Sequence, residues 1–410
     1  MPFADEFAQI PFVVAAAHGH LTLAQIWAPH NDNRILLPNL LAIALLLPTH
    51  YNLTAEMWAS VGIVLAAFLV LMRCLERESD IRGWWLLPVA LLFFDLTQWE
   101  NMLWGFQLAW YLILLMLVVV VYNLTGQTRG WMNLVIASAA GLIGTFSSLQ
   151  GLIIWPDGAL LLLICGPRQM TRLVAWCSLG VLSGIVYFEN FPPLENHSAL
   201  FYSLGHPETT VAFFVTVVGG PAGHHAEAFG VVVLAGVVAL VAAYWTRSDL
   251  RSQLRVPLAL VVFALIFDVV VTIGRVNLGS SEGASSRYTT YNLLALIGLY
   301  SAGVIALRAT LARRQALSAW LPEHARALVA FATCLLLAIG LVGATLPGAI
   351  RQSSQVRESR VLAATLLLHY KTAPNANLAA ALFPPSAAYV RRRARQLQRN
   401  HWSVFYRPAG

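Results

Sequence analysis

The chain has 410 residues, of which 58% are hydrophobic and only 11% are charged, and its mean hydropathy is +0.67. Soluble domains carry about 25% charged residues, so this composition excludes an ordinary soluble protein. The formal net charge of +7 does not predict nucleic-acid binding. Its arginines lie at the edges of apolar runs and in the C-terminal tail, not in a basic groove with exposed aromatic residues.

Long apolar runs recur along the chain and are continuous rather than alternating, which predicts helices and not barrel strands. A run of about 20 apolar residues crosses the hydrocarbon layer as a helix, where every backbone group must be satisfied internally. The predicted fold class is an all-α integral membrane protein, a polytopic bundle of about ten transmembrane helices. The predicted spans are residues 55–73, 84–98, 103–122, 131–147, 152–166, 173–190, 227–246, 256–274, 288–307 and 327–346.

Two further apolar stretches, residues 35–48 and 209–219, are too short to cross and are predicted to be interfacial or re-entrant helices. The chain is thus divided into an external loop with interfacial helices (1–54), a transmembrane domain (55–346) and an external C-terminal tail (347–410).

The positive charges of the loops indicate the orientation, because cytoplasmic loops are enriched in Lys and Arg. One set of loops carries Arg73, Arg77, Arg82, Arg129, Arg168, Arg172, Arg247, Arg251, Arg255, Arg308, Arg313, Arg314 and Arg326. The opposite set, without the C-terminal tail, carries only Arg34, Arg275 and Arg287. This bias predicts that residues 1–54 and the tail face outward. No apolar span precedes the outward N-terminal segment, so we expect that a first helix is missing from the chain.

The N-terminal segment carries two polar groups of residues that are candidates for chemistry. Asp5 and Glu6 form an adjacent acid pair, which could act as a general base or bind a divalent cation, or could simply favour a helix N-terminus. His30, Asp32 and Arg34 then combine an imidazole, a carboxylate and a guanidinium, and an Arg fork suits a phosphate oxygen. The alternative for this second group is a polar turn with Arg34 reaching toward lipid headgroups.

Two outward loops farther along the chain add further candidates. Glu100 and Gln107 flank the short loop between the second and third spans, where a carboxylate needs water, a cation or an arginine. In the loop 275–291, Arg275 and Arg287 flank a stretch rich in Gly, Ser and Thr, and Tyr288 follows. This pattern suits an anionic headgroup or a lipid-linked phosphate. The alternative is that Arg287 pairs with Glu100 or with Asp268.

These outward motifs resemble the external loops of GT-C-type glycosyltransferases, in particular bacterial membrane proteins of that superfamily. The resemblance covers most of residues 3–310. The motifs that carry it are Asp5-Glu6, His30-Asn-Asp-Asn-Arg34-Ile-Leu-Leu-Pro38, Trp99-Glu-Asn-Met-Leu-Trp104-Gly-Phe-Gln107 and Ser285-Ser-Arg-Tyr-Thr-Thr290. Two departures are the absent helix before the acid pair and Asn33, which stands where such proteins carry His.

The resemblance implies a GT-C-like fold and an enzyme of the bacterial inner membrane and cell envelope whose active site faces the periplasm. It would transfer a sugar from a polyprenyl-phosphate-linked donor to a glycan, lipid or protein acceptor. Asp5 would be the catalytic base or metal contact, with Glu6 beside it, and Arg287 a candidate for the lipid phosphate. No metal ligands are assigned and no cofactor is identified, because positioning and arginine contacts could suffice; a divalent cation, Mg²⁺ or Mn²⁺, stays an open alternative. The competing functions are a transporter or flippase of an amphipathic substrate and a non-catalytic membrane protein.

Overall fold

The computed structural model of the protein describes residues 1–126, 130–166, 169–193, 197–314, 323–383 and 385–406. Over these residues all elements of regular secondary structure are helices, and the only bridge of extended backbone joins His30 to Asn33. Arg129 and Arg168, which contributed to the predicted orientation, lie outside the described residues.

The described residues form nineteen α-helices. They are α1 (Glu6–Ala17), α2 (Leu23–Trp27), α3 (Leu36–Leu46), α4 (Thr54–Glu78), α5 (Leu87–Phe93), α6 (Trp99–Leu103), α7 (Leu108–Leu124), α8 (Trp131–Thr145), α9 (Ile154–Ile164), α10 (Met170–Phe188), α11 (His197–Gly205), α12 (Pro207–Val218), α13 (Ala226–Thr246), α14 (Arg251–Arg275), α15 (Ser280–Gly283), α16 (Ser286–Arg314), α17 (Glu323–Leu368), α18 (Asn375–Leu382) and α19 (Ala387–Arg399).

Seven helical stretches among the described residues are long and apolar enough to cross a membrane. They are Thr54–Glu78, Gly105–Leu124, Met170–Phe188, Gly220–Thr246, Arg251–Leu278, Ser286–Leu311 and Phe331–Leu368. The protein is therefore a helical membrane protein. The predicted spans 84–98, 131–147 and 152–166 correspond to the shorter helices α5, α8 and α9.

The outer surface of the bundle explains why these helices need a lipid environment. In α4, a buried stripe that includes Val64, Ala67 and Leu71 packs inward, as expected for helical spacing. The opposite face of α4 is also apolar, since Trp58 is 70% exposed and Leu69 is 62% exposed. A soluble protein would place polar residues on that face, and a continuous apolar exterior is typical of a surface in contact with lipid.

Helix α5 is short because its sequence ends the helix locally. The helix ends at Phe93, and the Asp95 carboxylate then accepts a hydrogen bond from the Thr97 backbone N–H at 2.7 Å, which starts a 3-10 turn. The predicted interfacial stretches 35–48 and 209–219 correspond to α3 and α12, which have 11 and 12 residues. Both are shorter than the roughly 20 residues of a spanning helix.

Helix α17 is the longest element, with 46 residues, so its axis measures about 69 Å. It continues through residue 346, where the sequence analysis placed the end of the last span, and Pro347 lies inside it. The hydrocarbon layer is only about 30 Å thick, so the distal half of α17 extends beyond it.

The described chain contains two apolar cores. The larger core lies inside the helical bundle and includes α14, which is buried on all sides between Leu254 and Val261. The smaller core joins the two ends of the chain: side chains of α1 and α3 pack against the distal part of α17 and against α18 and α19. We call this second unit the cap. Phe7 and Ile10 from the N-terminal end meet Leu378 and Leu397 from the C-terminal end in its interior.

Candidate functional site

The polar loops that were predicted to face outward meet at one end of the bundle. The Asn33 side-chain carbonyl accepts hydrogen bonds from the Ser148 hydroxyl at 2.7 Å and from the Leu149 N–H at 3.1 Å. The Glu100 N–H donates to the Ser286 hydroxyl at 3.2 Å, so α6 contacts the start of α16. These contacts connect segments that lie more than a hundred residues apart in the sequence, as the 115-residue separation of Asn33 and Ser148 illustrates.

A cavity of about 360 Å³ lies where the cap meets this end of the bundle. Its polar lining comes from Glu100, Ser359 and Arg360, and the rest of its wall is aromatic or aliphatic. The apolar lining residues are Phe3, Trp99, Leu103, Trp104, Val356, Leu362, Ala380, Ala381 and Phe383. An apolar pocket with a few polar groups is the usual form of a small-molecule site.

Arg360 connects the cavity to the predicted catalytic acid Glu6. Arg360 Nη1 lies 3.8 Å from Glu6 Oε2, and its guanidinium lies 3.8 Å from the centre of the Phe3 ring. The Phe3 N–H donates to Glu6 Oε2 at 2.9 Å. Glu6 is fully buried, and this burial raises the pKa of its carboxyl to about 7, although Arg360 acts in the opposite direction. Glu6 is therefore a carboxyl that gains and loses its proton near neutral pH.

A second buried acid, Glu56, lies beside this group and was not among the predicted site residues. Gln9 Nε2 donates to Glu56 Oε1 at 3.1 Å, and the Tyr51 hydroxyl donates to the Glu6 carbonyl at 2.7 Å. Glu56 is only 2% exposed. One signal for it exists in the sequence, because Glu56 is the only acid at the start of the first long apolar run.

Trp104 also faces the cavity with an unused donor. Its side chain is 9% exposed, and its indole N–H has no hydrogen-bond partner among the described residues. Arg360 Nε and Glu6 Oε1 are likewise without a partner there. Buried polar atoms are rarely left unpaired, so the unpaired donors of Trp104 and Arg360, two residues of the cavity lining, point to a ligand or ordered water that would satisfy them.

Asp5 and Glu6 are adjacent in sequence, but their side chains contact different residues. Its carboxylate lies 3.1 Å from His30 Nε2 and accepts a longer hydrogen bond of 3.4 Å from the Asn31 side chain. The Asp5 side chain is 32% exposed. The His30 ring packs against Phe106, with 5.2 Å between the ring centres. Asp5 and His30 therefore form a more open pair beside the buried Glu6, and Asp5 is not part of the cavity wall.

The structure gives Arg34 a different role from the predicted anion contact. Each of its three side-chain nitrogens donates to a backbone carbonyl, at 2.7–2.8 Å, in Trp27, Tyr187 and Glu189. The guanidinium also lies 4.4 Å from the Trp27 ring centre, and Arg34 is 1% exposed. Arg34 therefore connects the N-terminal loop to the end of α10 by hydrogen bonds, and its guanidinium is too buried to bind a phosphate. The nearby Asp32 is partly exposed.

Arg287 is paired with an acid that the sequence analysis did not consider. Its guanidinium forms an ion pair with Glu282, and the Tyr288 hydroxyl donates to Glu282 Oε1 at 2.6 Å. The expected alternatives were Glu100 and Asp268, and Asp268 is instead buried in α14. Arg287 acts on Glu100 from nearby: burial raises the pKa of the Glu100 carboxyl, and Arg287 lowers it.

The other predicted substrate contacts are separate from the cavity. Gln107 is buried at the start of α7, whereas Arg275 is exposed at the end of α14. Of the predicted site residues, only Glu100 forms part of the cavity wall, and Glu6 lies behind it against Arg360. In the part of the chain that the structure describes, no three His, Cys, Asp or Glu residues are grouped so that they could hold a metal ion.

The chain matches no family model, no curated protein and no solved structure. The case for a function therefore depends on the chemistry of the cavity and its surroundings.

Proposed function

We propose that this protein is a membrane glycosyltransferase of the GT-C kind, which transfers a sugar from a polyprenyl-phosphate-linked donor to an acceptor at the external face. The observation that carries the proposal is the cavity between α6, α17 and α18, which combines Arg360 and Glu100 with an aromatic and aliphatic wall. A lipid-linked sugar phosphate has the same two-part character, because an anionic and polar head joins a long apolar chain.

In this proposal Arg360 binds the phosphate of the donor, and the apolar wall accommodates the first isoprene units. Arginine suits this role because its planar fork matches phosphate oxygens and keeps its charge at all physiological pH values. Arg360 replaces Arg287 and Arg34 as the principal anion contact, because it lines the cavity and those two do not. Glu100 would accept hydrogen bonds from the sugar hydroxyls.

An acid of the N-terminal pair would act as the general base. The acceptor hydroxyl would attack the anomeric carbon while its proton passes to the carboxylate, and the bond from that carbon to the phosphate oxygen would break. Polyprenyl phosphate would leave with the bonding electrons. Glu6 is the stronger candidate, because its pKa of about 7 suits proton transfer near neutral pH and its carboxylate lies next to Arg360. Asp5, the more exposed acid, is the alternative.

The proposed topology includes α5, α8 and α9 as three short crossings in addition to the seven long helices, which makes about ten. Helices α8 and α9 measure about 22 Å and 16 Å at 1.5 Å per residue, so they would cross only with the help of the turns next to them. Bacterial inner-membrane localisation, with the cap on the periplasmic side, belongs to the same proposal.

The test uses the purified chain in proteoliposomes with a panel of polyprenyl-phosphate sugars, and it measures release of polyprenyl phosphate together with donor binding. We expect Glu6→Gln to abolish release while donor binding is retained, and Arg360→Gln to weaken donor binding at least tenfold. Asp5→Asn distinguishes the two candidate bases. Arg357→Gln and Glu358→Gln, two exposed positions of the same helix, are the matched controls and should behave like the unchanged protein.

Three outcomes would contradict the proposal. If polyprenyl phosphate is still released at the normal rate by each of the three variants, Glu6→Gln, Arg360→Gln and Asp5→Asn, this site is not the catalytic centre. Movement of the intact donor across the bilayer without release of phosphate would favour a flippase. No binding of any polyprenyl-phosphate sugar to the folded protein would exclude the donor class.

A further inference from the structure

Helix α19 presents a basic stripe on the surface of the cap. Its buried face, made by Val390, Ala394 and Leu397, is completely enclosed in the cap core. Three arginines on the other side are exposed: Arg392, Arg395 and Arg399. At 100° per residue these three lie within about 60° of one another around the helix, and they extend over about 10 Å along its axis. We refer to these three arginines as the basic stripe.

The remaining arginines of α19 have internal roles. Arg391 donates to the carbonyls of Tyr370 at 3.0 Å and of Ala373 at 2.8 Å. Arg393 donates to Gln396 at 3.1 Å and lies 4.8 Å from the centre of the Tyr389 ring. The contacts of Arg391 connect α19 to the turn after α17, and the stripe lies on a helix whose other face is packed in the cap core.

The charge around the stripe is not balanced within its own segment. After Glu358 the sequence contains no Asp or Glu, and its positive residues from there to the end are Arg360, Lys371, Arg391, Arg392, Arg393, Arg395, Arg399 and Arg407. No ion pair to the basic stripe is found within the described part of the chain. A cluster of like charges is destabilised by self-repulsion, and an anionic partner relieves it.

The residues that follow α19 pack beside the start of the first long apolar helix. The Ser403 N–H donates to the His50 carbonyl at 2.8 Å, and the Tyr406 ring stacks on the His50 ring with 4.4 Å between their centres. Helix α4, the first long apolar helix, begins four residues after His50, at Thr54. Its Trp58 is 70% exposed on the lipid-facing side, which marks the level of the interface.

We propose that the basic stripe binds the headgroups of anionic phospholipids in the adjacent leaflet and so holds the cap on the membrane surface. A negatively charged leaflet attracts juxtamembrane arginines over about a Debye length, roughly 8–10 Å. The cap contributes Ala380, Ala381 and Phe383 to the wall of the cavity. Lipid contact at α19 therefore stabilises one wall of the cavity, whatever ligand the cavity takes.

The test compares the protein in nanodiscs of phosphatidylcholine alone with nanodiscs of phosphatidylcholine and phosphatidylglycerol, and it measures the thermal unfolding midpoint at low and high salt. We expect the anionic lipid to raise the midpoint by roughly 3–6 °C at low salt, and added salt to reduce this gain. The triple substitution Arg392→Gln, Arg395→Gln and Arg399→Gln should remove most of the gain. The triple substitution to Lys should keep it, because the attraction needs charge and not a planar fork.

Lys371→Gln is the matched control, since it removes an exposed positive charge of the cap outside the stripe, and its gain should be nearly that of the unchanged protein. The proposal is wrong if the triple Gln protein gains as much from anionic lipid as the unchanged protein does. It is also wrong if the stripe binds a fluorescent soluble polyanion while the lipid effect does not depend on it, which would indicate a soluble acidic partner. None of these measurements involves sugar transfer, so their outcome is independent of the proposed function.

Discussion

Glu6 and Arg360 stand 354 positions apart in the sequence, and Glu6 Oε2 lies 3.8 Å from Arg360 Nη1 in the folded chain. This contact joins the N-terminal helix to the distal part of α17 and places an acid with a pKa of about 7 directly behind the cavity. Because both side chains come from terminal segments, the candidate site exists only when the cap is assembled.

Glu6 should make the stability of the protein depend on pH. Its pKa in the folded state, about 7, is raised above the ordinary 4.5, so the folded state holds this proton more tightly than the unfolded chain does. The resulting stabilisation is complete below pH 4.5 and is lost as the pH rises through 7, in total about 3 kcal/mol. Thermal unfolding between pH 4.5 and 8 should show this loss. Glu6→Gln should reduce this loss, while the exposed Glu358→Gln should leave it unchanged.

Arg34→Lys should destabilise the protein although it keeps the positive charge. A single ammonium group cannot reach the three carbonyls of Trp27, Tyr187 and Glu189 that the guanidinium binds. We expect a loss of about 2–4 kcal/mol in the free energy of unfolding. Arg275→Lys, at an exposed position, is the control. Equal unfolding midpoints for the two variants would show that Arg34 is not a structural anchor and would reopen its role as an anion contact.

Gly105 is required by the buried carboxylate of Glu56. A Cβ atom at residue 105 would lie 2.7 Å from Glu56 Oε2 and 3.0 Å from Glu56 Cβ. Gly105→Ala should therefore cost about 1–3 kcal/mol, and the double substitution with Glu56→Ala should recover part of this loss. Gly62→Ala, which has no neighbour within 4 Å in α4, should have little effect. Strict additivity of the two substitutions would contradict the contact.

Both terminal segments belong to the cap, so we expect both to be accessible from the same side of the membrane. His20 and Ala388 are exposed at the end that carries the cap, and Arg82 and Ser248 are exposed in loops of the arginine-rich end. Single cysteines at these positions, in a chain without its native cysteines, should divide into two groups when intact cells are treated with an impermeant maleimide. We expect labelling at 20 and 388 only. Labelling of 82 and 248 instead would reverse the proposed orientation.

Part of this site could be predicted from the sequence because the signals are local. Glu6 and Glu100 were both identified as acids beside apolar runs, and the convergence of the polar loops follows from the order of the spans. Arg360 was not identified, because it lies in a stretch of α17 that reads as an ordinary polar tail. Its importance comes from contacts with Phe3 and Glu6, which no local pattern contains.

By itself, the sequence determined that the chain is a helical membrane protein, and the arginines of its loops predicted an orientation. Hydropathy and loop charge are properties of neighbouring residues, so they can be read from the sequence. Because unsatisfied polar groups are costly in lipid, hydropathy predicts which segments are membrane helices. Only the tertiary structure decided which polar side chains are free to bind a ligand. Arg34 donates to three backbone carbonyls and Arg287 forms an ion pair with Glu282, whereas Arg360 lines the cavity. These assignments depend on pairings between distant segments, and the energy of a buried charge is set by the partner that folding brings to it.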